Sequence, residues 1–380
     1  MEFTLNEEQK MLADMVRDFA QEKIAPRAAE YDKTCTFPAE NLKEMAALGL
    51  MGVTLPAEYE GAGMDTLSYC IALEEISKAC ASTGVIMAVH NSLIGNILLN
   101  FGSEEQKKNY LIPAAKGEIL GAYALTEPNA GSDAAHLETT VKKDGNFYIL
   151  DGIKNFITNS VAADIFIVYA TMDKSLGSRG ICCFLVERDT PGFTIGKKEE
   201  MMGVRAAGTC QLIFEGCRIP EKNLIGQEYE GFKCAMSALD IGRLGIAAQS
   251  VGIAQAAYEA ALKYSQERKQ FGQPICNFQM IQSMLVQMAT EIEAARLMIY
   301  KTAWLKDAGM PFSKEASMAK FFAADVAVKT TINAVQVHGG YGYTKEYTLE
   351  RHLRDAKVTQ IYEGTSEIQK LVIARHLLRK

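Results

Sequence analysis

Glu363 lies in the run Ile361-Tyr362-Glu363-Gly364-Thr365-Ser366-Glu367. Ser366 reads as the N-cap of a following helix, with Gln369 completing a capping box and Ile368, Leu371 and Val372 at helical spacing. Gly364 carries no side chain, so a ligand can approach the backbone beside the carboxylate. A carboxylate, a backbone N–H and a helix N-terminus within a few residues suit removal of a proton next to a carbonyl. The inert alternative is a solvated Glu ahead of a capped helix.

Five further segments carry residue types that can bind or react. Tyr123-Ala124-Leu125-Thr126-Glu127-Pro128-Asn129-Ala130-Gly131-Ser132-Asp133 offers N–H and O–H donors to a heterocycle or phosphate, or is an ordinary turn. In Lys154-Asn155-Phe156-Ile157-Thr158-Asn159, Phe156 can pack on a flat ring while Thr158 donates, or can fill a core strand. In Asp240-Ile241-Gly242-Arg243, Arg243 can hold a phosphate or pair with Asp240 at i,i+3. Arg268-Lys269-Gln270-Phe271-Gly272, with Gln279, sets two positive charges at a helix end, where they can simply complement the dipole. Gln336-Val337-His338-Gly339-Gly340-Tyr341-Gly342 permits close backbone approach or a helix stop.

The elements that must position these residues fall into three blocks, 1–120, 121–230 and 231–380. The first reads as helical. Asn6 caps a helix with Leu12, Val16 and Phe19 on one face, Pro38 opens another that Gly49 closes, and Ser103 pairs with Gln106 in a capping box. The second is rich in short β runs. Asp144-Gly145 marks a hairpin between 139–143 and 146–150, followed by runs at 165–169, 181–186 and 211–214 with no long helix between them. An antiparallel domain is expected. The third returns to long helices, broken near Pro274, at Gly309-Met310-Pro311 and at Gly339-Gly340. No dinucleotide fingerprint or phosphate loop is present.

Composition narrows the classes. The 380 residues are 48% hydrophobic and 23% charged, typical of a soluble globular protein with more than one core. A net charge of −6 argues against broad nucleic-acid binding. The apolar stretch 84–101 carries His90, Asn91, Ser92, Asn96 and Asn100, so it reads as a buried helix, and no membrane insertion is expected. Nine cysteines without a C-x-x-C pair, and an opening without a signal pattern, point to reduced thiols in the cytoplasm. Cys182 and Cys183 face opposite sides of one strand. No cluster has zinc spacing, so no metal is expected.

Taken together and in order, these segments resemble the acyl-CoA dehydrogenase family from about Leu5 to Leu378, most closely its short-chain, butyryl-type members. The Tyr-Ala-Leu-Thr-Glu-Pro-Asn-Ala-Gly-Ser-Asp, Arg-Lys-Gln-Phe-Gly, Gly-Gly-Tyr-Gly-Tyr and Ile-Tyr-Glu-Gly-Thr-Ser-Glu runs carry the likeness. The resemblance implies a mainly α fold with a central antiparallel β-barrel domain between two helical ones. It implies bound FAD, with Tyr123, Leu125, Thr126, Gly131, Ser132, Phe156, Ile157 and Thr158 lining the flavin. Arg268, Phe271 and Gln279 would hold its phosphate and adenosine part. Gln336, Val337, His338, Gly339 and Gly340, with Thr365, Ser366 and Glu367, would complete the cradle, partly across a subunit boundary of a homotetramer, a dimer of dimers. Ser132, Asp240, Arg243, Tyr362 and Gly364 would contact an acyl-CoA.

Glu363 matches the family's catalytic base. The implied reaction is α,β-dehydrogenation of a short-chain acyl-CoA to the trans-2-enoyl-CoA, or its reverse in fermentation, with electrons passed to electron-transferring flavoprotein. Some relatives carry the base on the Asp-x-x-Arg helix, where this chain has Gly242. Many have Trp where this chain has Phe156. Two alternatives remain within the same fold: an acyl-CoA oxidase, although the chain is shorter than typical oxidases, and a non-enzymatic DNA-associated relative. The tail of Arg375, His376, Arg379 and Lys380 is only slightly basic for the latter.

Overall fold

Asn6 and Gln9 exchange hydrogen bonds, Gln9 N to Asn6 Oδ1 at 2.8 Å and Asn6 N to Gln9 Oε1 at 3.1 Å, and so open the first helix. In the computed structural model, which describes residues 4–378, this helix (α1, Glu7–Phe19) runs on through 20–24 into α2 (Ala25–Thr34). Pro38 precedes α3 (Ala39–Ala47), and Gly49 turns the chain away at φ 72°. The Asp65 carboxylate accepts from Ser68 N at 2.7 Å and starts α4 (Thr66–Ala79). The Ser103–Gln106 capping box is present and leads a chain of short helical turns to Ala115. Arg379 and Lys380, half of the basic tail, lie outside the described residues.

The apolar stretch forms α5 (Ala81–Phe101), with 83% of its most apolar window buried. Its polar residues explain why it is a core helix. Asn91 Oδ1 accepts from Val53 N at 2.9 Å while Nδ2 donates to Leu50 O and Met87 O, and His90 Nε2 meets Ala114 O at 2.9 Å. The helix widens to a π turn over Val89–Gly95 where these groups reach out.

The β region holds β1 (Gly121–Ala124), β2 (Thr140–Asp144), β3 (Phe147–Ile157), β4 (Ile165–Thr171), β5 (Ile181–Glu187), β6 (Phe193–Lys198), β7 (Cys210–Pro220) and β8 (Leu224–Ile225). The β2–β3 hairpin forms as expected, shifted by one residue. Asp144 pairs with Phe147, so the two-residue loop is Gly145-Asn146, with Gly145 at φ 58°. The sheet is mixed rather than antiparallel. Its order is β6-β7-β3-β2-β4-β5-β8, β1 runs parallel to β4, and Thr140 of β2 pairs with Thr171 of β4 in parallel. The sequence-adjacent pairs β2–β3, β4–β5 and β6–β7 are antiparallel. The departure comes from β1, which bypasses the β2–β3 hairpin to join β4, and chain spacing alone carries no sign of that crossover. Among the described residues the ladder does not close on itself.

Both faces of the sheet are covered. Ile165, Ile167, Tyr169, Cys183 and Leu185 join an apolar core that also holds α1, α4, α5 and the C-terminal helices. Phe166, Val168, Cys182, Phe184 and Val186 pack into a second core with Phe193, Leu212 and Phe214. Cys182 and Cys183 therefore do point to opposite sides. The C-terminal block comprises α6 (Gly231–Glu267), α7 (Gln279–Asp307), α8 (Ser313–His338), α9 (Leu349–Thr359) and α10 (Ser366–Leu378). Gly309 and Gly339, at φ 66° and 61°, end α7 and α8.

Candidate active site

Between α9 and α10 the chain makes a tight turn, with Ser366 N donating to Gln360 O at 2.9 Å. Glu363 sits in this turn at φ 51° and Gly364 at φ 92°. A left-handed glutamate costs about 1–3 kcal/mol and persists only where its surroundings fix it. The cap of α10 is Thr365 rather than Ser366. Ile368 N donates to Thr365 Oγ1 at 3.2 Å, whereas the Ser366 hydroxyl is buried without a partner. Gln369 likewise forms no capping box. Its Nε2 reaches back to Glu363 O at 3.1 Å and Gly364 O at 2.9 Å, holding the turn from inside. Adjacent Thr and Ser both suit an N-cap, and the left-handed pair at 363–364 decides between them by placing Thr365 at the first free N–H groups.

The Glu363 carboxylate faces α6. Its Oε2 is buried without a hydrogen-bond partner, and a Cβ at Gly242 would run into it. There is thus no room for a second acid at position 242 of α6. Burial pushes the Glu363 carboxyl up to about 7, with the Lys320 and Arg243 cations working against that rise. The carboxylate also borders a cavity of about 350 Å³. Tyr123, Leu125, Thr126, Gly131, Ser132, Phe156, Ile157, Thr158, Arg243, Tyr362 and Gly364 line it together with Glu363.

The walls of that cavity fit a flat aromatic group. Phe156 is 56% exposed and held at φ 57°, so it is no core residue, and nothing lies within 4 Å of a Cβ built on Gly131. An apolar chain fits in the same cavity, because Val85, Val89 and Leu93 of α5 and Phe232, Met236 and Leu239 of α6 also line it. Arg243 combines both of its sequence readings. Its Nη1 donates to Asp240 Oδ1 at 2.6 Å, while Nε is buried and unpartnered.

Other expected residues lie elsewhere. Asp240 borders a separate polar cavity with Asn96, Asn100 and Lys306. Arg268 and Gln336, Val337, His338, Gly339 and Gly340 line a shallow surface pocket that shares no residue with the glutamate cavity. Phe271 is 94% exposed, and Gln279 begins α7. Thr365, Ser366 and Glu367 are not among the residues lining either space. One chain thus places the expected cofactor residues in two separate pockets and leaves Phe271, Gln279 and Thr365, Ser366 and Glu367 outside both.

Four residues at the site had no role assigned from sequence. Lys320 of α8 is fully buried, and its Nζ donates to Gly364 O at 2.7 Å. Gln249 of α6 accepts from the Tyr362 hydroxyl. Glu127 and Lys154 form a buried ion pair at 2.7 Å, with Lys154 Nζ also donating to Leu125 O at 3.1 Å and Glu127 accepting from the backbone N–H of Glu138 and Thr139. Burial opposes ionisation of Glu127, but Lys154 and those hydrogen bonds hold its carboxyl below the usual range. Together with the 2.8 Å bond from Asn155 N to Thr126 O, this pair ties the 123–132 wall to the strand carrying Phe156. Lys154 shares the alternation of buried Tyr148 and Leu150 in β3, and Lys320 shares the helical stripe of Ala316, Ala323 and Ala324. A cation on an apolar face was the available signal.

Family models for the acyl-CoA dehydrogenase N-terminal, middle and C-terminal domains match residues 6–118, 122–217 and 229–378. The chain is 50% identical over 379 residues to the short-chain specific acyl-CoA dehydrogenase of Clostridium acetobutylicum, covering 100% of both. It is 49% identical to the short-chain specific mitochondrial acyl-CoA dehydrogenase of Rattus norvegicus, covering 99% of this chain and 91% of that one. Among solved structures, butyryl-CoA dehydrogenase from Megasphaera elsdenii superposes with a TM-score of 0.98 at 46% identity over 100% of both chains. A chain in a structure described as the electron transferring flavoprotein of Acidaminococcus fermentans superposes at 0.99 and 49% identity, again over 100% of both.

Proposed function

The chain belongs to the acyl-CoA dehydrogenase family, and from that premise we propose that it oxidises a short-chain acyl-CoA to the trans-2-enoyl-CoA, with Glu363 as the base. The carrying observation is a buried carboxylate with an unpartnered oxygen, in a left-handed turn, on the wall of a mostly apolar cavity.

The chain's own residues divide the work. The Glu363 carboxylate takes the α-proton of the thioester. An unactivated α-C–H is a poor acid, so charge developing on the carbonyl oxygen needs a donor, and the Glu363 backbone N–H serves. One such donor is worth about 10²–10³ in rate. Val89, Leu93, Leu239 and Tyr362 exclude water around the acyl chain. Arg243, Ser132 and Gly364 hold the acyl-CoA, and we assign Asp240 to the same role through its bond to Arg243. Bound FAD would supply the acceptor for the β-hydride and the outlet for electrons to electron-transferring flavoprotein. Tyr123, Leu125, Thr126, Gly131, Ser132, Phe156, Ile157 and Thr158 would hold its ring.

We assign Arg268, Phe271, Gln279 and Gln336–Gly340 to the remainder of a cofactor lying in a neighbouring subunit, with Thr365, Ser366 and Glu367 at the junction. Two observations support a homotetramer: the separation of the two residue groups within one chain, and an exposed apolar series on α7, Met280, Val286, Leu297 and Trp304. We read the mixed sheet around its own apolar core as the family's barrel. A reducing, cytoplasmic setting accords with nine free thiols.

The test is anaerobic titration of the yellow protein with acyl-CoAs of graded length. Butyryl-CoA should bleach the flavin, and failure of every short acyl-CoA to do so would remove the proposal. The base acts only when ionised, so flavin reduction should rise with pH through about 7 and fall below it. A flat profile across neutrality in rapid-mixing experiments would contradict the buried base. Arg268→Ala should weaken FAD retention about ten-fold or more, the worth of a hydrogen bond to a charged group. A gel-filtered variant as yellow as the parent would count against the assignment of Arg268.

A further inference from the structure

The geometry points to Lys320 as a positioning residue that holds the catalytic turn and keeps the Glu363 carboxylate aimed and ionised. This rests on the reading of Glu363 as the base. A buried ammonium is strongly unfavourable unless something compensates it. Lys320 is completely buried on a face of α8 that Ala316, Ala319, Ala323 and Ala324 already pack, so the helix needs no cation there for cohesion. Its Nζ is directed instead at the catalytic turn, 2.7 Å from Gly364 O.

That carbonyl accepts twice. Lys320 reaches it from α8 and Gln369 Nε2 reaches it from α10 at 2.9 Å. Two donors from two helices therefore fix the peptide that follows Gly364, and Gln369 also holds the one that follows Glu363 through Glu363 O at 3.1 Å, in a turn where the backbone stands at φ 51° and then φ 92°. Glycine takes φ 92° freely, but φ 51° is an angle that a free glutamate rarely holds. Loss of one donor frees the peptide to rotate and the carboxylate to swing away from the cavity.

The second effect is electrostatic. The charged groups around Glu363 are Lys320 of α8 and Arg243 of α6, with the phenols of Tyr69, Tyr123 and Tyr362 nearby. Lys320 in turn faces Glu363, Arg243, Asp325 and Glu367. Of the two cations acting on Glu363, Arg243 is already tied to Asp240 at 2.6 Å, whereas Lys320 makes no ion pair within 4.0 Å among the described residues. Removing Lys320 leaves burial with less opposition, so the Glu363 carboxyl rises further and less of it is ionised at neutral pH.

The experiment compares holoenzyme Lys320→Met, Lys320→Gln, Glu363→Gln and the parent in anaerobic rapid mixing with butyryl-CoA across the neutral and alkaline range. Lys320→Met should stay yellow, and its acid limb should move up by about one pH unit, which is about a five-fold loss at pH 7. Raising the pH should restore most of that loss. Lys320→Gln retains an N–H for Gly364 O, so it should show the same shift with a higher alkaline plateau. A purely structural role would lower the rate equally at every pH. A parental acid limb in Lys320→Met would overturn the proposal, and if that variant does not fold, the limb of Lys320→Gln decides. If Glu363→Gln is inactive while both Lys320 variants keep the parental limb, only Lys320 loses its role. If Glu363→Gln bleaches normally, the base assignment fails and this proposal fails with it.

Discussion

Glu363→Gln should give a yellow protein that binds butyryl-CoA and scarcely bleaches. Glutamine keeps the volume and removes the proton acceptor. The carboxylate's Oε2 has no hydrogen-bond partner to lose, so the turn should survive, held by Gln369 and Lys320 through the backbone. General-base contributions are typically about 10²–10⁴ in rate, and the upper end is expected here because Gly242 offers no side chain and Asp240 borders a different cavity. Rapid mixing of the anaerobic variant with substrate measures this. Bleaching within a few-fold of the parent would transfer the base role elsewhere. Because burial has already pushed the carboxyl up to about 7, exchanging it for a neutral amide should raise stability slightly at alkaline pH, so the loss cannot be assigned to unfolding. The sign follows from the direction. A carboxyl whose folded pKa is raised disfavours folding once it must ionise, above its unfolded value, and that penalty disappears in the amide.

The second large effect is expected at Lys154→Met. Lys154 and Glu127 are 0% and 1% exposed at the side chain and pair at 2.7 Å. Removing one partner of a buried pair typically costs about 3–5 kcal/mol, because the remaining charge is uncompensated. Glu127 retains its backbone N–H donors from Glu138 and Thr139, which places the cost toward the lower end. The damage should reach beyond stability. Lys154 also holds Leu125 O, so the 123–132 wall and Phe156 lose their common anchor, and FAD should be retained poorly. Urea denaturation read at the middle domain, together with the flavin-to-protein absorbance ratio after gel filtration, measures both. A variant with the parent's midpoint and colour would show that the pair does not hold the wall. Since Glu127 sits below the usual carboxyl range in the folded protein, the pair's stabilisation should decline as acid protonates it, and since burial pushes the Lys154 ammonium down to about 8, the attraction within the pair should decline again as pH rises through about 8.

What was legible in the sequence was local. The Asn6 cap, the Ser103–Gln106 box, the β2–β3 hairpin and the helix stops at Gly309 and Gly339 depend on a few neighbouring residues, and each formed. Glu363 was a candidate for the same reason, through the glycine beside it, while the resemblance rather than the spacing singled it out as the base. What was not legible depended on contacts distant in the chain. The parallel β1–β4 pairing joins strands separated by a hairpin. The choice of Thr365 over Ser366 as cap follows from the left-handed turn before it. Lys320 acts on a residue 44 positions later, and Lys154 on one 27 positions earlier. Their periodicity marked them as inward-facing, but a buried cation does not name its partner. The grouping of Arg268 with Gln336–Gly340, apart from Tyr123 and Phe156, likewise emerges only when the helices are placed in space.

One structure would test the whole account most directly: Glu363→Gln purified with FAD and crystallised with butyryl-CoA. The residue 363 side chain should lie within about 3.5 Å of the α-carbon, the reach of a near-attack geometry, with the flavin ring against Phe156 and Thr158 on the other side of the acyl chain. An acyl group bound outside the Glu363 cavity, or a ring remote from Phe156, would contradict it.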